Sequence, residues 1–264
     1  MLEQFILGMV QGIAEWLPVS SEGMIVLVKA NFLHSDGSLG LIIKEALFLH
    51  LGTFFAALIY FRKDVAGLVK ALFSYQTADI KTKKTLQFLI VSTIISGILG
   101  YVFLQLMEHV EVNPLTGKMI TGVVALLLFI TAGLQFLHKN RDTQRGRENL
   151  TPADSTALGL VQGFAALPGL SRSGLTVSAL LLSNIDKTEA LRLSFLMSLP
   201  IVLAGNIILN LDELFLNMNS MVGLASSFVF GLLTIDALLR FARKVHFGYF
   251  ILFFAFITLL SAFI

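Results

Sequence analysis

The 264-residue sequence has no cysteine, a single tryptophan and five prolines. Without cysteine there is neither a disulfide framework nor thiolate chemistry, and the redox compartment cannot be read. Charge is scarce as well: 14% of residues are Asp, Glu, Lys or Arg, and the formal net charge is only +2. So small an excess, with no basic run interleaved with aromatics, excludes nucleic acid as a partner. The N-terminus has no basic n-region leading to a small-residue cleavage site, so no removable signal peptide is expected. What the chain has in abundance is apolar surface. Hydrophobic residues make up 56%, and the mean hydropathy is +0.83. That composition belongs to an integral membrane protein.

The chain also repeats itself. Residues 8–24 read GMVQGIAEWLPVSSEGM and residues 159–175 read GLVQGFAALPGLSRSGL. Gly8, Gln11, Gly12, Ala14 and Gly23 recur as Gly159, Gln162, Gly163, Ala165 and Gly174, each at a spacing of 151. Both copies break at a proline, Pro18 or Pro168, followed by serines and a glycine. A weaker echo pairs Glu45-Ala46-Leu47 with Glu189-Ala190-Leu191. Proline-interrupted apolar segments in corresponding places of two halves point to a buried site at the repeat interface.

Six stretches are long and apolar enough to cross a bilayer: 41–61, 86–107, 115–137, 190–211, 219–241 and 246–264. The broken segments, 1–32 and 156–184, divide into halves of about 12–16 residues, each too short to cross alone. They are expected to be re-entrant helix-loop-helix pairs, whose freed backbone must be buried in protein or line a wet cavity. The expected fold is therefore an all-α integral membrane protein with six transmembrane helices and two re-entrant segments. It forms one membrane domain of two inverted repeats, 1–150 and 151–264, each with one re-entrant segment and three spans. Three is odd, so the second repeat must be inverted.

Link charges orient this layout. Arg62, Lys63, Lys70, Lys81, Lys83 and Lys84 lie in 62–85; Lys139, Arg141, Arg145 and Arg147 lie in 138–156; Arg243 and Lys244 precede the last span. The alternate links carry Glu108 and Glu111, or Asp212 and Glu213. The basic links are assigned to the cytoplasm. Both termini then lie outside, the first re-entrant segment enters from outside, and the second enters from inside.

The most specific string is PGLSRSGLT, Pro168 to Thr176. An arginine at membrane depth is costly unless paired, and the Arg172 fork matches phosphate oxygens two at a time. Ser171, Ser173 and Thr176 add hydroxyl donors, Gly169 and Gly174 let backbone approach, and the helix opening here favours an anion. This set is a phosphate or pyrophosphate pocket; the bland alternative is an arginine that snorkels or is neutralised by a carboxylate, with the serines as caps. In the first break, EWLPVSSEG, Ser20 and Ser21 sit where an N-cap belongs, and a hydroxyl so placed beside a phosphate is also a candidate nucleophile. Glu15 has three readings: the base, the holder of a divalent cation, or the neutraliser of Arg172. Glu22 suits the first turn of a helix. His50 is read as accessory or as simple packing, and is expected to tolerate Asn. Asp236 is placed to pair with Arg240 four residues on.

These strings resemble the undecaprenyl pyrophosphate phosphatase family of bacitracin-resistance (BacA-type) membrane proteins. The resemblance covers the whole chain through PxSSxG at the first break, PGxSRSGxT at the second, and SFLxxxP from Ser194 to Pro200. It implies removal of the terminal phosphate from a polyprenyl pyrophosphate carrier, assisted by a divalent cation, Mg²⁺ or Ca²⁺. Glu15 matches the second glutamate of the family's ExxxE motif and the candidate metal ligand, Ser21 the candidate nucleophile, and Arg172 the essential arginine. Ser171, Ser173 and Thr176 match pyrophosphate-contacting positions; Ser20, Gly174 and Gln11 join them as substrate-binding candidates. Three positions depart: Gln11 replaces the first glutamate of ExxxE, Glu22 a threonine, and Met24 a histidine.

The reading is thus a multi-pass protein of the plasma membrane, with its active site open to the extracytoplasmic side and the isoprenoid tail leaving between spans. A homodimer is compatible with it. The rival is a translocase of polyprenyl phosphate lipid that keeps the pocket and does no chemistry. With Met24 unable to carry a proton, hydrolysis is expected to rest on Ser21 and Glu15.

Overall fold

The computed structural model describes residues 1–17, 20–29, 39–108, 145–166, 170–210, 217–244 and 247–261, with scattered positions between 122 and 136. Among them the elements are helices, joined by one isolated backbone bridge between Arg145 and Ile185. In chain order they are α1 (Leu2–Ala14), α2 (Ser21–Val28), α3 (Leu39–Tyr60), α4 (Arg62–Phe73), α5 (Ile80–Glu108), α6 (Pro152–Phe164), α7 (Arg172–Leu182), α8 (Lys187–Asn210), α9 (Met218–Lys244) and α10 (Phe247–Ser261). Short 3₁₀ turns occupy Tyr75–Thr77 and Arg147–Asn149.

Four of these are long and apolar enough to cross a membrane: α3, α5, α8 and α9. They coincide with the expected spans at 41–61, 86–107, 190–211 and 219–241. Most of the span expected at 115–137 lies outside the described residues, as do Lys139, Arg141, Glu111, Asp212 and Glu213. The last span is described as a helix of 15 residues, short of the roughly 20 that cross on their own.

The two interrupted segments each fold as two short helices, α1 with α2 and α6 with α7, that pack on one another. Pro18, Pro168 and Gly169 lie outside the described residues. Chain chemistry fixes the ends. Ser171 caps α7, its hydroxyl accepting from the Gly174 N–H at 3.0 Å, and Thr151 caps α6 with Pro152 following.

Repeated glycines explain where these arms sit. A Cβ on Gly12 would stand 2.7 Å from the Ser227 carbonyl oxygen of α9, and one on Gly8 would collide with the Gly223 carbonyl. In the second copy, Cβ atoms on Gly159 and Gly163 would each meet α5, at Ile95 and at Leu99, both at 2.8 Å. Each G-xxx-G pair thus brings its arm into close backbone contact with a long helix, the small-residue packing that membrane interiors favour. Around them Trp16, Phe61, Phe88, Leu158, Leu180, Phe195 and Met197 form one buried core. Trp16 donates to the Gly231 carbonyl at 3.0 Å, which pins the end of α1 to α9.

One helix falls where a loop is expected. Residues 62–85 carry so many cations that they read as a link, yet α4 occupies their first half. Val65, Leu68, Val69 and Leu72 recur at helical spacing, and Val69, Leu72 and Phe73 are exposed beside Arg62, Lys63 and Lys70. A short basic helix with an exposed apolar edge suits a membrane interface.

The entrance to the second interrupted segment is clamped by charge. Arg145 grips the Asp154 carboxylate with both terminal nitrogens, at 3.2 and 2.7 Å, and Asp154 also accepts from the Thr151 N–H and hydroxyl. Backbone bonds from Arg145 to Asn184 and Asp186 tie this corner to the end of α7, where Asn184 adopts φ 62°. Burial pushes the Asp154 carboxyl up, but the Arg145 and Thr151 bonds outweigh it and hold the carboxyl below its usual range. A depressed folded-state value stabilises the fold above the unfolded value and loses that contribution as pH falls through the folded one. Stability in detergent should therefore decline below about pH 4. Asp154→Ala should cost about 1–2 kcal/mol at neutral pH by loss of the cap, read as a lower unfolding temperature. An unchanged unfolding temperature would remove the clamp's role.

Candidate active site

The two breaks meet. Arg172, the first residue of α7, pairs through Nη2 with Glu15 Oε1 at the end of α1, and its Nη1 donates to the Ser194 carbonyl of α8 at 3.1 Å. Ser173 next to it donates to the Leu17 carbonyl at 2.7 Å. The contacts to Glu15 and Leu17 join positions more than 150 residues apart and hold the second break against the first.

Glu15 is the hub. Its Oε2 accepts from Gln11 Nε2 at 3.0 Å and from Ser21 Oγ at 3.1 Å, and lies 3.2 Å from His50 Nε2. The helical spacing of Gln11 and Glu15 stacks them on one face, and the start of α2 delivers Ser21 to the same carboxylate. His50 comes from α3, with Nδ1 2.7 Å from the Ala46 carbonyl one turn earlier. Its Nε2 is 3.3 Å from Ser21 Oγ. Serine, histidine and carboxylate therefore touch one another pairwise, all three buried.

A small polar cavity of about 30 Å³ opens among Glu15, Ser20, Ser21, Glu22, His50, Arg172 and Ser173. Beside it runs a longer groove of about 170 Å³ between α3, α5 and α8, walled by Ile43, Leu47, Gly97, Ile201, Val202 and Ile208. Glu22, His50 and Arg172 line both. A charged pocket thus lies against an apolar slot and shares walls with it, a shape for an anionic head on a hydrocarbon tail.

The family model described as bacitracin resistance protein BacA matches residues 4–260. The chain belongs to the BacA family. A protein named undecaprenyl-diphosphatase from Methanococcoides burtonii is 42% identical to it over 269 positions, covering 99% of this chain and 98% of its own. Proteins of the same name from Methanothrix thermoacetophila and Haloarcula marismortui are 35% and 36% identical, over 98% and 93% of this chain and 95% and 91% of theirs. With several long apolar helices, this BacA-family chain is a multi-pass membrane protein.

Among the residues singled out in the sequence, Glu15, Ser20, Ser21, Glu22, Arg172 and Ser173 line the polar cavity. Glu22 also keeps its expected place in the first turn of α2. Ser20 accepts from the Gly23 N–H at 3.1 Å, so its cap role holds as well. Ser171 is spent on capping α7, and Gly174 supplies the N–H that it caps. Thr176 is turned away: fully buried, it bonds the Arg172 carbonyl at 2.8 Å and the Ser194 hydroxyl at 2.7 Å and lines neither space. It supports the arginine rather than facing a ligand. Asp236 pairs with Arg240 as expected and also accepts from Tyr60 at 2.9 Å.

Two placements differ from the reading of the sequence. His50, treated as accessory or as packing, sits at the centre of the site. Ser194, noticed only within SFLxxxP, contributes both the carbonyl behind Arg172 and the hydroxyl on Thr176.

Among the described residues, no group of three or more His, Asp or Glu side chains could hold a metal ion. Both Glu15 oxygens are already engaged, one by Arg172 and the other by Gln11, Ser21 and His50. In the substrate-free site Glu15 has no oxygen free for an ion.

Proposed function

We propose that the chain hydrolyses a long-chain polyprenyl pyrophosphate, of the undecaprenyl type, to the monophosphate and inorganic phosphate, recycling a lipid carrier of the cell envelope. The observation that carries this reading is the junction of the two spaces, where Arg172 and Ser21 face a polar cavity that shares walls with an apolar groove. The pyrophosphate takes the polar end and the isoprenoid lies between α3, α5 and α8, leaving sideways into lipid. An incoming phosphate displaces Glu15 from the Arg172 fork, exchanging one anion for another at a buried guanidinium. Ser21 is the nucleophile. Its hydroxyl is already hydrogen-bonded to an acceptor in a site shielded from bulk water. A non-catalytic translocase finds no support: a transport pocket has no need of a serine held against both a carboxylate and an imidazole, and the relatives named above are diphosphatases.

The divalent cation is assigned to the substrate. Bound to the pyrophosphate, as Mg²⁺ commonly is at phosphate sites, it would offset the substrate's negative charge. Titration of Mg²⁺ into the purified, substrate-free protein should therefore give no saturable heat, whereas activity should fall when the ion is chelated. Saturable Mg²⁺ binding without substrate would restore a resident site.

The architecture we infer is two inverted repeats, 1–150 and 151–264, each with a re-entrant pair and three spans. The packing supports it by symmetry. The first arm of each broken pair rests on the long helix that is second in the other half: α1 on α9, and α6 on α5. The repeated glutamates behave alike too, Glu45 pairing with Lys29 near the start of α3, and Glu189 with Lys81 and Arg147 near the start of α8. The basic links are assigned to the cytoplasm of the plasma membrane, which sets the catalytic pocket toward the outer face. Since the chain has no native cysteine, single cysteines report this directly. One at the exposed Lys70 or Glu148 should stay unlabelled by an impermeant maleimide in intact cells, and labelling from outside would invert the scheme. For the activity itself, the purified protein should release phosphate from C55 polyprenyl pyrophosphate. Binding without release would favour the carrier reading.

A further inference from the structure

We propose that His50 is the general base that takes the proton from Ser21, a role for which Met24 has no group. The inference rests on the reading of Ser21 as nucleophile and deepens it. Its ground is the pair of contacts made by the imidazole. Nδ1 lies 2.7 Å from the Ala46 carbonyl oxygen, which can only accept, so Nδ1 carries a proton. When the ring is neutral its lone pair is therefore on Nε2, which stands 3.3 Å from Ser21 Oγ and 3.2 Å from the Glu15 carboxylate, so the base is the ring after any proton shared with Glu15 has left it. The backbone of α3 fixes the tautomer that a base requires.

Glu15 is the competing acceptor, 3.1 Å from the same hydroxyl. The oxygen that faces Ser21, Oε2, already accepts from Gln11 at 3.0 Å and keeps that bond when phosphate takes Arg172 from Oε1. What Glu15 offers instead is a negative charge 3.2 Å from Nε2, ready to hold the imidazolium once the proton has moved. Serine, imidazole and carboxylate here close a triangle rather than a line, and Glu15 orients and stabilises while His50 accepts. His50 also lines both the polar cavity and the groove, so its ring borders the place where the scissile phosphate must lie.

The chemistry balances. Ser21 Oγ attacks the terminal phosphorus and the Oγ–P bond forms while the bridging P–O bond breaks. Its electron pair stays on the oxygen of the departing polyprenyl monophosphate. The serine proton passes to His50 Nε2 and then to that monophosphate. Neutral again, His50 takes a proton from the water that attacks the phosphoserine. As inorganic phosphate leaves, the proton returns to Ser21 Oγ.

The test is phosphate release from C55 polyprenyl pyrophosphate by the full chain in detergent, for His50→Gln, His50→Asn, His50→Gly, Ser21→Ala and the double variant Ser21→Ala/His50→Gln. His50→Asn keeps an N–H for the Ala46 carbonyl and so guards against a folding defect. We expect His50→Gln and His50→Asn to lower kcat about 10²-fold with KM within about threefold. Added imidazole should restore at least about fivefold to His50→Gly, and the double variant should be no slower than Ser21→Ala, because base and nucleophile act as a unit. The proposal is overturned if His50→Asn stays within about threefold of the parent, if imidazole restores nothing to folded His50→Gly, or if the double variant shows the two losses multiplied. Full turnover by Ser21→Ala would instead remove the nucleophile reading on which the inference stands.

Discussion

Arg172→Ala should lose phosphate release by more than about two orders of magnitude and also lower stability by about 3–5 kcal/mol. Two separate consequences of one geometry are involved. The guanidinium is the cation at the junction of cavity and groove, and a charged hydrogen-bonded pair to phosphate is worth about 1.5–3 kcal/mol for each such interaction. At rest the same group neutralises Glu15, which is buried in the chain interior. Removing one partner of a buried ion pair leaves the other charge uncompensated, which is why the cost exceeds the worth of the pair itself. The double variant Arg172→Ala/Glu15→Gln separates the two effects. Thermal unfolding should recover much of the lost stability, because no orphan charge is left, while activity should stay lost. Arg172→Lys keeps the charge without the fork and should still cost about tenfold or more. Near-normal turnover of a folded Arg172→Ala would disprove the pocket.

Ser21→Ala should reduce kcat about 10²-fold or more while substrate binding persists. The hydroxyl is buried, donates to Glu15 Oε2 and lies 3.3 Å from His50 Nε2, and alanine at this position keeps the helix start because Ser20 provides the cap. The fold should therefore be spared. Rapid-quench experiments with substrate labelled in the terminal phosphate should capture label on the parent protein and none on Ser21→Ala. Labelled protein from the alanine variant would place the nucleophile elsewhere.

Much of this site could be read along the chain. The repeat at a spacing of 151 and the interruption of both copies were sufficient to predict that the two breaks meet, and the arginine in a run of donors raised the expectation of an anion there. Periodicity and length likewise gave α3, α5, α8 and α9, because a span must be about 20 apolar residues long. The 62–85 segment was harder. Its charges suggested a link, and they outweighed the four apolar positions at helical spacing that make α4.

Composition and spacing determined that the chain is a membrane protein, that one broken motif occurs in it twice, that its cations crowd certain links, and that Arg172 stands in a run of hydroxyls and glycines. Those properties are local: they depend on what one segment can bury and which groups one turn of helix presents. Only the tertiary structure decided which helix each repeated glycine pair rests on, because a G-xxx-G motif specifies close approach but not the partner. It also turned Thr176 onto Ser194 and away from the cavity, and it brought His50, 29 positions from Ser21, to within 3.3 Å of the serine hydroxyl. A histidine's face on its own helix can be counted from the sequence, but what stands opposite that face depends on how three helices and two breaks pack together.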